Sequence, residues 1–164
     1  MGSDSRSESF RLLFVCSGNT CRSPLAAALA EREFVRLGWR VDVRSAGVSA
    51  ARGIPASDGS LRVGALNGLD LSAHLSRPVD GELLVWADLI LVMSPGHLLG
   101  LAEMGVAGKA AVLDSFAKGG GEAGEDAEVP DPFGGDDRDY EEVYRTLEEL
   151  VGKALHQMRP NLAP

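Results

Sequence analysis

The sequence predicts a doubly wound α/β fold, a parallel sheet with helices on both faces, and three observations predict it. Apolar runs of strand length alternate with amphipathic segments of helix length from Phe10 to Met158. The first strand runs through a short loop into a helix and then a second strand, an order that a right-handed crossover makes parallel. Residues 88–93 are apolar without alternation, as a strand covered on both faces requires. A chain of 164 residues holds one domain with a full core, and not two of ordinary size.

The elements follow in order. Phe10–Cys16, FRLLFVC, is the first strand. Residues 24–37 carry Leu25, Leu29, Phe34 and Leu37 at helical spacing with alanines between, and Gly38 stops the helix. Ser23 is placed as its N-cap, with Pro24 at the first helical position. Residues 39–44 alternate apolar and polar, the pattern of a strand. A loop holding Pro55 leads to a short helix from about Ser57, with Leu61, Val63, Ala65 and Leu66. Residues 81–86 read as a short helix, 88–93 as a strand, 95–104 as a helix and 109–113 as a last, shorter strand. The stretch KGGGEAGEDAE, within a loop at about 118–129, is a low-complexity spacer rich in glycine and acid. Residues 136–158 are helical again, with Val143, Leu147, Leu150, Val151 and Leu155 as the apolar stripe. An acidic start and Arg159 near the end suit the dipole of that helix.

Composition narrows the function. With 45% hydrophobic and 24% charged residues and a mean hydropathy of −0.01, the chain reads as a soluble globular domain. A formal charge of −8 without a basic cluster argues against broad binding to nucleic acid or anionic membranes. No segment is long and apolar enough to span a bilayer. Two cysteines five residues apart make no disulfide framework, and MGSDSRSES lacks the apolar core of a secretion signal. The expectation is a cytoplasmic monomer: a disordered leader over 1–9, one domain over 10–159 and a tail over 160–164. No grouping of His, Cys and carboxylates suggests a metal, and no cofactor is expected.

The chemistry sits between the first strand and first helix. Small and polar residues there let loop amides and the helix N-terminus point into one concavity, an anion site. Cys16 lies at its edge, where those amides and Arg22 favour a thiolate, the nucleophilic form of cysteine. Arg22 offers a planar guanidinium that grips two oxygens of a phosphoryl group at once. Gly18 lets the backbone approach the anion, and Asn19 ties the loop by side-chain hydrogen bonds or a left-handed conformation. The Ser23 hydroxyl is placed to donate to the sulfur.

The string VCSGNTCRSP, with Asp131-Pro132 far downstream, resembles the low-molecular-weight protein tyrosine phosphatase family, as do SAG at residues 45–47 and ADLILVMS at 87–94. The resemblance covers nearly the whole chain. It implies a four-stranded sheet of order 2-1-3-4, with the Cys16 loop at the topological switch point where such folds bind ligands. It also implies roles: Cys16 attacks phosphorus, Arg22 and the loop amides stabilise the oxygens, and Asp131 protonates the leaving group and then activates water. Ser17, Gly18, Asn19, Thr20, Cys21, Ser23 and Phe133 complete the phosphate and substrate contacts. Asp-Pro alone is an ordinary turn; the upstream loop gives it meaning. His74 reads as a structural or surface residue, since a loop phosphatase needs no catalytic histidine.

Thr20 speaks to the substrate. Tyrosine-directed members usually carry a bulky aliphatic residue there, whereas Thr in GNTCRSP resembles the branch acting on phosphoarginine in proteins. Phe133-Gly134-Gly135 resembles the same branch, and Phe133 offers a face to a planar cation. Phosphorylated proteins are the expected partners, with phosphotyrosine hydrolysis as the alternative. Cys21 either packs as a small apolar residue or forms a reversible disulfide with Cys16. An arsenate reductase of the same fold would relay a disulfide through later cysteines, and none follows Cys21; a thiol-dependent arsenate reductase that recruits an external thiol stays open as the lesser alternative. A phosphocarrier gains nothing from Arg22 and Asp131, which hydrolyse the intermediate a carrier must keep.

Overall fold

The computed structural model describes residues 9–106, 108–120 and 128–162. The elements are β1 Phe10–Cys16, α1 Arg22–Leu37, β2 Val41–Gly47, α2 Asp58–Leu66, α3 Gly81–Trp86, β3 Leu89–Val92, α4 Pro95–Glu103, β4 Ala110–Val112, α5 Leu113–Ala117 and α6 Asp137–Leu162. The strands form one parallel sheet of order β2-β1-β3-β4. That is the expected 2-1-3-4 arrangement.

Strand β1 shows why the fold has three layers. Leu12, Leu13, Phe14 and Val15 are all fully buried, yet alternate residues enter different cores. Leu12, Phe14 and Cys16 join one core with Leu25, Leu29 and Phe34 of α1 and Val143, Leu147 and Val151 of α6. Leu13 and Val15 join the other, with Leu83 and Leu84 of α3 and Leu101 of α4. A strand with helices on both faces has no side to show to water.

Several boundaries differ from the sequence reading for identifiable reasons. Helix α1 begins at Arg22 with Cys21 as its cap residue, and no side chain caps it. Ser23 is not the N-cap because its hydroxyl is engaged at the sulfur of Cys16. Gly38 closes α1 as expected, at φ 73°, with its N–H and that of Trp39 bonded to the last turn. Leu37 is 39% exposed and Leu66 is 84% exposed, so the apolar spacing of α1 and α2 outruns the surface they cover. Ser57 does cap α2, accepting from the N–H of Ser60. Helix α5 was not anticipated, and α6 extends to Leu162, past the expected end at Met158. The expected disordered leader lies, except for Ser9, outside the described residues, as do 121–127 of the acidic loop. Among the described residues no helix is long and apolar enough to cross a membrane, and no cluster of His, Cys, Asp and Glu forms a metal site.

Candidate active site

Strand β1 ends between its two neighbours, with Cys16 in register with Gly47 of β2 and Val15 with Val92 of β3. From there β2 continues one way across the sheet and β3 the other, so the loop after β1 opens at the switch point.

Five of the loop's carbonyls are held by groups outside the loop. Cys16 O accepts from Val48 N, Ser17 O from Ser49 N and Thr20 O from Ser57 N, at 2.9–3.0 Å. Asn19 O is 2.7 Å from His74 Nε2, and Cys21 O accepts from Ser60 Oγ at 3.4 Å. A trans peptide plane points its N–H opposite its C=O. The N–H groups of Ser17, Gly18, Thr20, Cys21 and Arg22 are therefore turned into the concavity, forming the anion nest that the sequence implied.

Asn19 holds this curl. Its φ is +58°, a left-handed conformation that costs asparagine less than most residues. Its buried amide donates to Ser23 Oγ at 2.8 Å and Ser45 Oγ at 2.9 Å, while its oxygen accepts from Arg77 N at 2.9 Å. The side chains of Asn19 and Ser23 thus support the loop from behind rather than line the cavity. Ser23 Oγ lies 3.0 Å from Cys16 Sγ and 3.5 Å from Ala46 O, and having accepted from Asn19 it has its own proton for the nearer sulfur.

Gly47 is part of the same construction. A Cβ there would overlap Ser17 O and come within 3.0 Å of Asn19 N, so the loop can curl only over glycine. Gly47→Ala is expected to lower kcat/KM about 10- to 100-fold and to cost about 1–3 kcal/mol of stability, as overpacking against backbone does. Steady-state kinetics and urea melts of the purified variant check both numbers. Gly18 differs: its Cβ would meet nothing nearer than Thr20 Oγ1 at 3.8 Å, so its value is the open mouth rather than a special conformation.

Cys16, Gly18, Thr20, Cys21, Arg22, Asp131 and Phe133 line one cavity of about 210 Å³. Arg22 is 3% exposed and spans the two halves of the site. Its Nη1 donates to Val129 O at 2.9 Å, and its Nη2 reaches Ser17 Oγ at 3.4 Å and Asp131 Oδ2 at 3.6 Å. Its Nε is buried without a protein partner. A buried donor left open in a cavity of inward amides is a place for an anion's oxygen. Asp131 is half-exposed, and its Oδ1 accepts from Phe133 N at 3.1 Å, fixing the turn that carries the 71%-exposed Phe133.

Other supports were not read from the sequence. Val129 anchors the acid loop to the sheet, donating its N–H to Met93 O at 2.8 Å while its carbonyl holds Arg22. Cys21, free like Cys16, sits 3.2 Å from Ser57 Oγ and 3.5 Å from Tyr140 OH. Burial, then the contact with Cys21, pushes the Tyr140 phenol up to about 12, so it stays protonated. His97 Nε2 lies 2.9 Å from Ser17 Oγ. His74, read as structural or surface, holds the loop carbonyl of Asn19 through Nε2.

A cysteine at the mouth of an amide nest, a buried arginine across it and an aspartate on a facing loop define a cysteine-based phosphatase on an α/β scaffold. The chain belongs to the low molecular weight phosphotyrosine protein phosphatase family, whose model it matches over residues 11–163. It is 36% identical over 152 residues to a protein-arginine-phosphatase of Geobacillus stearothermophilus, covering 92% of this chain and 97% of that one. It is 34% identical over 139 residues to the low molecular weight protein-tyrosine-phosphatase Wzb of Escherichia coli, covering 84% and 87%. Among solved structures, a YwlE arginine phosphatase mutant with a phosphorylated active site serine matches with TM-score 0.86 at 33% identity, covering 93% and 97%.

Proposed function

We propose that this phosphatase hydrolyses phosphoarginine on proteins through a phosphocysteine on Cys16. The observation that carries the substrate choice is the cavity wall: Thr20, Asp131 and Phe133 line the same cavity as Cys16. A guanidinium is planar, cationic and rich in donors, and this wall offers it a carboxylate, a hydroxyl and an aromatic face. The two named relatives that act on phosphoarginine support the same reading.

Cys16 Sγ attacks phosphorus, with Arg22 and the inward amides holding the three non-bridging oxygens. As the P–N bond breaks, Asp131 gives its proton to the departing nitrogen. Water then attacks the phosphocysteine, Asp131 takes a proton back, and the S–P bond breaks with Ser23 donating to the thiolate. The cavity is complete within one chain, which supports a monomer as the working unit, and a free catalytic thiol suits a reducing compartment such as the cytoplasm. Residues 10–159 carry every part of this site.

The test is kcat/KM for a phosphoarginine peptide against a matched phosphotyrosine peptide on the same protein. Phosphoarginine is expected to win by tenfold or more, and Thr20→Ile to move the ratio toward phosphotyrosine by about 10-fold, a methylene-scale change in the wall plus a lost hydroxyl. A phosphotyrosine preference in the wild type would leave the mechanism and remove the substrate assignment.

Cys21 lines the same cavity, and a Cys16–Cys21 disulfide would shield the nucleophile from irreversible oxidation. Peroxide is expected to inactivate the wild type reversibly, with thiol restoring activity, and Cys21→Ser irreversibly. Equal irreversible loss in both proteins would leave Cys21 as a packing residue only.

A further inference from the structure

Behind the loop runs a chain of side chains that the reaction itself does not use. Ser94 caps α4, accepting the backbone N–H of His97 at 3.3 Å. Its Oγ also lies 3.1 Å from His97 Nδ1. Having accepted once, that buried hydroxyl satisfies its own proton by donating to Nδ1, which places the ring proton on Nε2. Nε2–H then donates to Ser17 Oγ at 2.9 Å, and Ser17 Oγ accepts from Arg22 Nη2 on its other side. Burial, then the Arg22 charge, pushes His97 down to about 4 against the opposing pull of Asp131, so the ring is neutral and its tautomer single at neutral pH.

We propose that His97 is a positioning residue for the phosphate cradle: through Ser17 it fixes the Arg22 guanidinium so that Nε faces the anion. Two of the three nitrogens of Arg22 are engaged by Val129 O and by the Ser17–Asp131 pair, and the third is open. Rotation of the guanidinium would exchange which nitrogen is open. Of its oxygen partners, the Val129 carbonyl belongs to the acid loop and the Asp131 carboxylate is half-exposed, whereas Ser17 sits on the cradle loop. A rigid His97 on α4 holds the Ser17 hydroxyl at a fixed angle, and this ties the position of Arg22 to the sheet and not only to the acid loop. The proposal rests on the assignment of Arg22 to the phosphoryl oxygens.

The experiment is titration of His97→Leu, His97→Gln, Ser17→Ala and the double variant Ser17→Ala/His97→Leu with inorganic phosphate, by calorimetry, beside kcat and KM. The Leu variant is expected to bind phosphate about 5- to 30-fold more weakly, the effect of losing one support of a charge-assisted contact. Gln, whose amide N–H can reach where Nε2 does, is expected to recover most of that loss. Ser17→Ala is expected to match the Leu variant, and the double variant to be no worse than either single one, because both changes cut the same chain. Unchanged phosphate affinity in Ser17→Ala, a Gln variant no better than Leu, or additive losses would each overturn the proposal. Should His97→Leu fail to fold, His97→Asn, whose amide stops short of the position of Nε2, takes its place in the same series. Phosphate affinity does not need turnover, so a wild type inactive on every phosphopeptide would sink the proposed function while this series still decides on His97.

Discussion

Replacing Cys16 with serine is expected to lower kcat at least 10⁴-fold on every phosphorylated substrate while leaving phosphate binding in place. The two side chains differ by one atom, and the position is 2% exposed and supported by Ser23, so the fold should keep its stability to within about 1 kcal/mol. The chemistry does not survive the change. A serine oxygen is a far weaker nucleophile than a cysteine sulfur, and any phosphoserine formed would have to break to an alkoxide rather than a thiolate. Arg22 and the inward N–H groups are untouched, so calorimetric phosphate affinity should stay within about threefold of wild type. A serine variant that turns over within 100-fold of wild type would remove Cys16 as the nucleophile. Loss of phosphate affinity together with activity would show a collapsed loop instead.

How much of this was legible in the sequence depends on the range of the interaction. Strand β1, the loop and the start of α1 are consecutive, and their spacing points to both the proposed nucleophile and the arginine six residues beyond it. The stripe of α6 was legible because a long helix repeats its burial several times, and Val143, Leu147, Leu150, Val151 and Leu155 are all buried. The short helix α2 gives one repeat only, and its exposed Leu66 could not be told from a core leucine by spacing. Ser23 misled for a local reason: a serine before proline is an ordinary cap, unless a sulfur seven residues earlier has a stronger use for its hydroxyl.

The supports that went unseen are those that sheet order creates. His97 reaches Ser17 because β3 lies beside β1, and Val129 reaches Arg22 because the chain crosses the C-terminal edge of that same strand. One cue was present: a Ser-Pro helix start with a histidine three residues after the serine, at the end of the strand next to the nucleophile's strand. The 2-1-3-4 order turns that cue into a site neighbour.

Asp131→Asn is expected to slow hydrolysis about 10²- to 10⁴-fold for a phosphoarginine peptide and less than tenfold for an aryl phosphate whose leaving group needs no proton. Asparagine keeps the shape, and its oxygen can still accept from Phe133 N, so the turn that presents Phe133 should persist. The ion pair with Arg22 is lost, but at 3.6 Å with the carboxylate half in solvent it contributes little to stability. Removing a negative charge from the rim of an anion cavity should leave phosphate affinity equal or somewhat tighter. The signature is therefore a split: binding held, the good leaving group nearly unaffected, the poor one crippled. If both substrates slow by the same factor, Asp131 acts by shaping the cavity and the leaving-group proton comes from elsewhere. If neither slows, the Asp-Pro segment is the turn it would have been without the loop facing it.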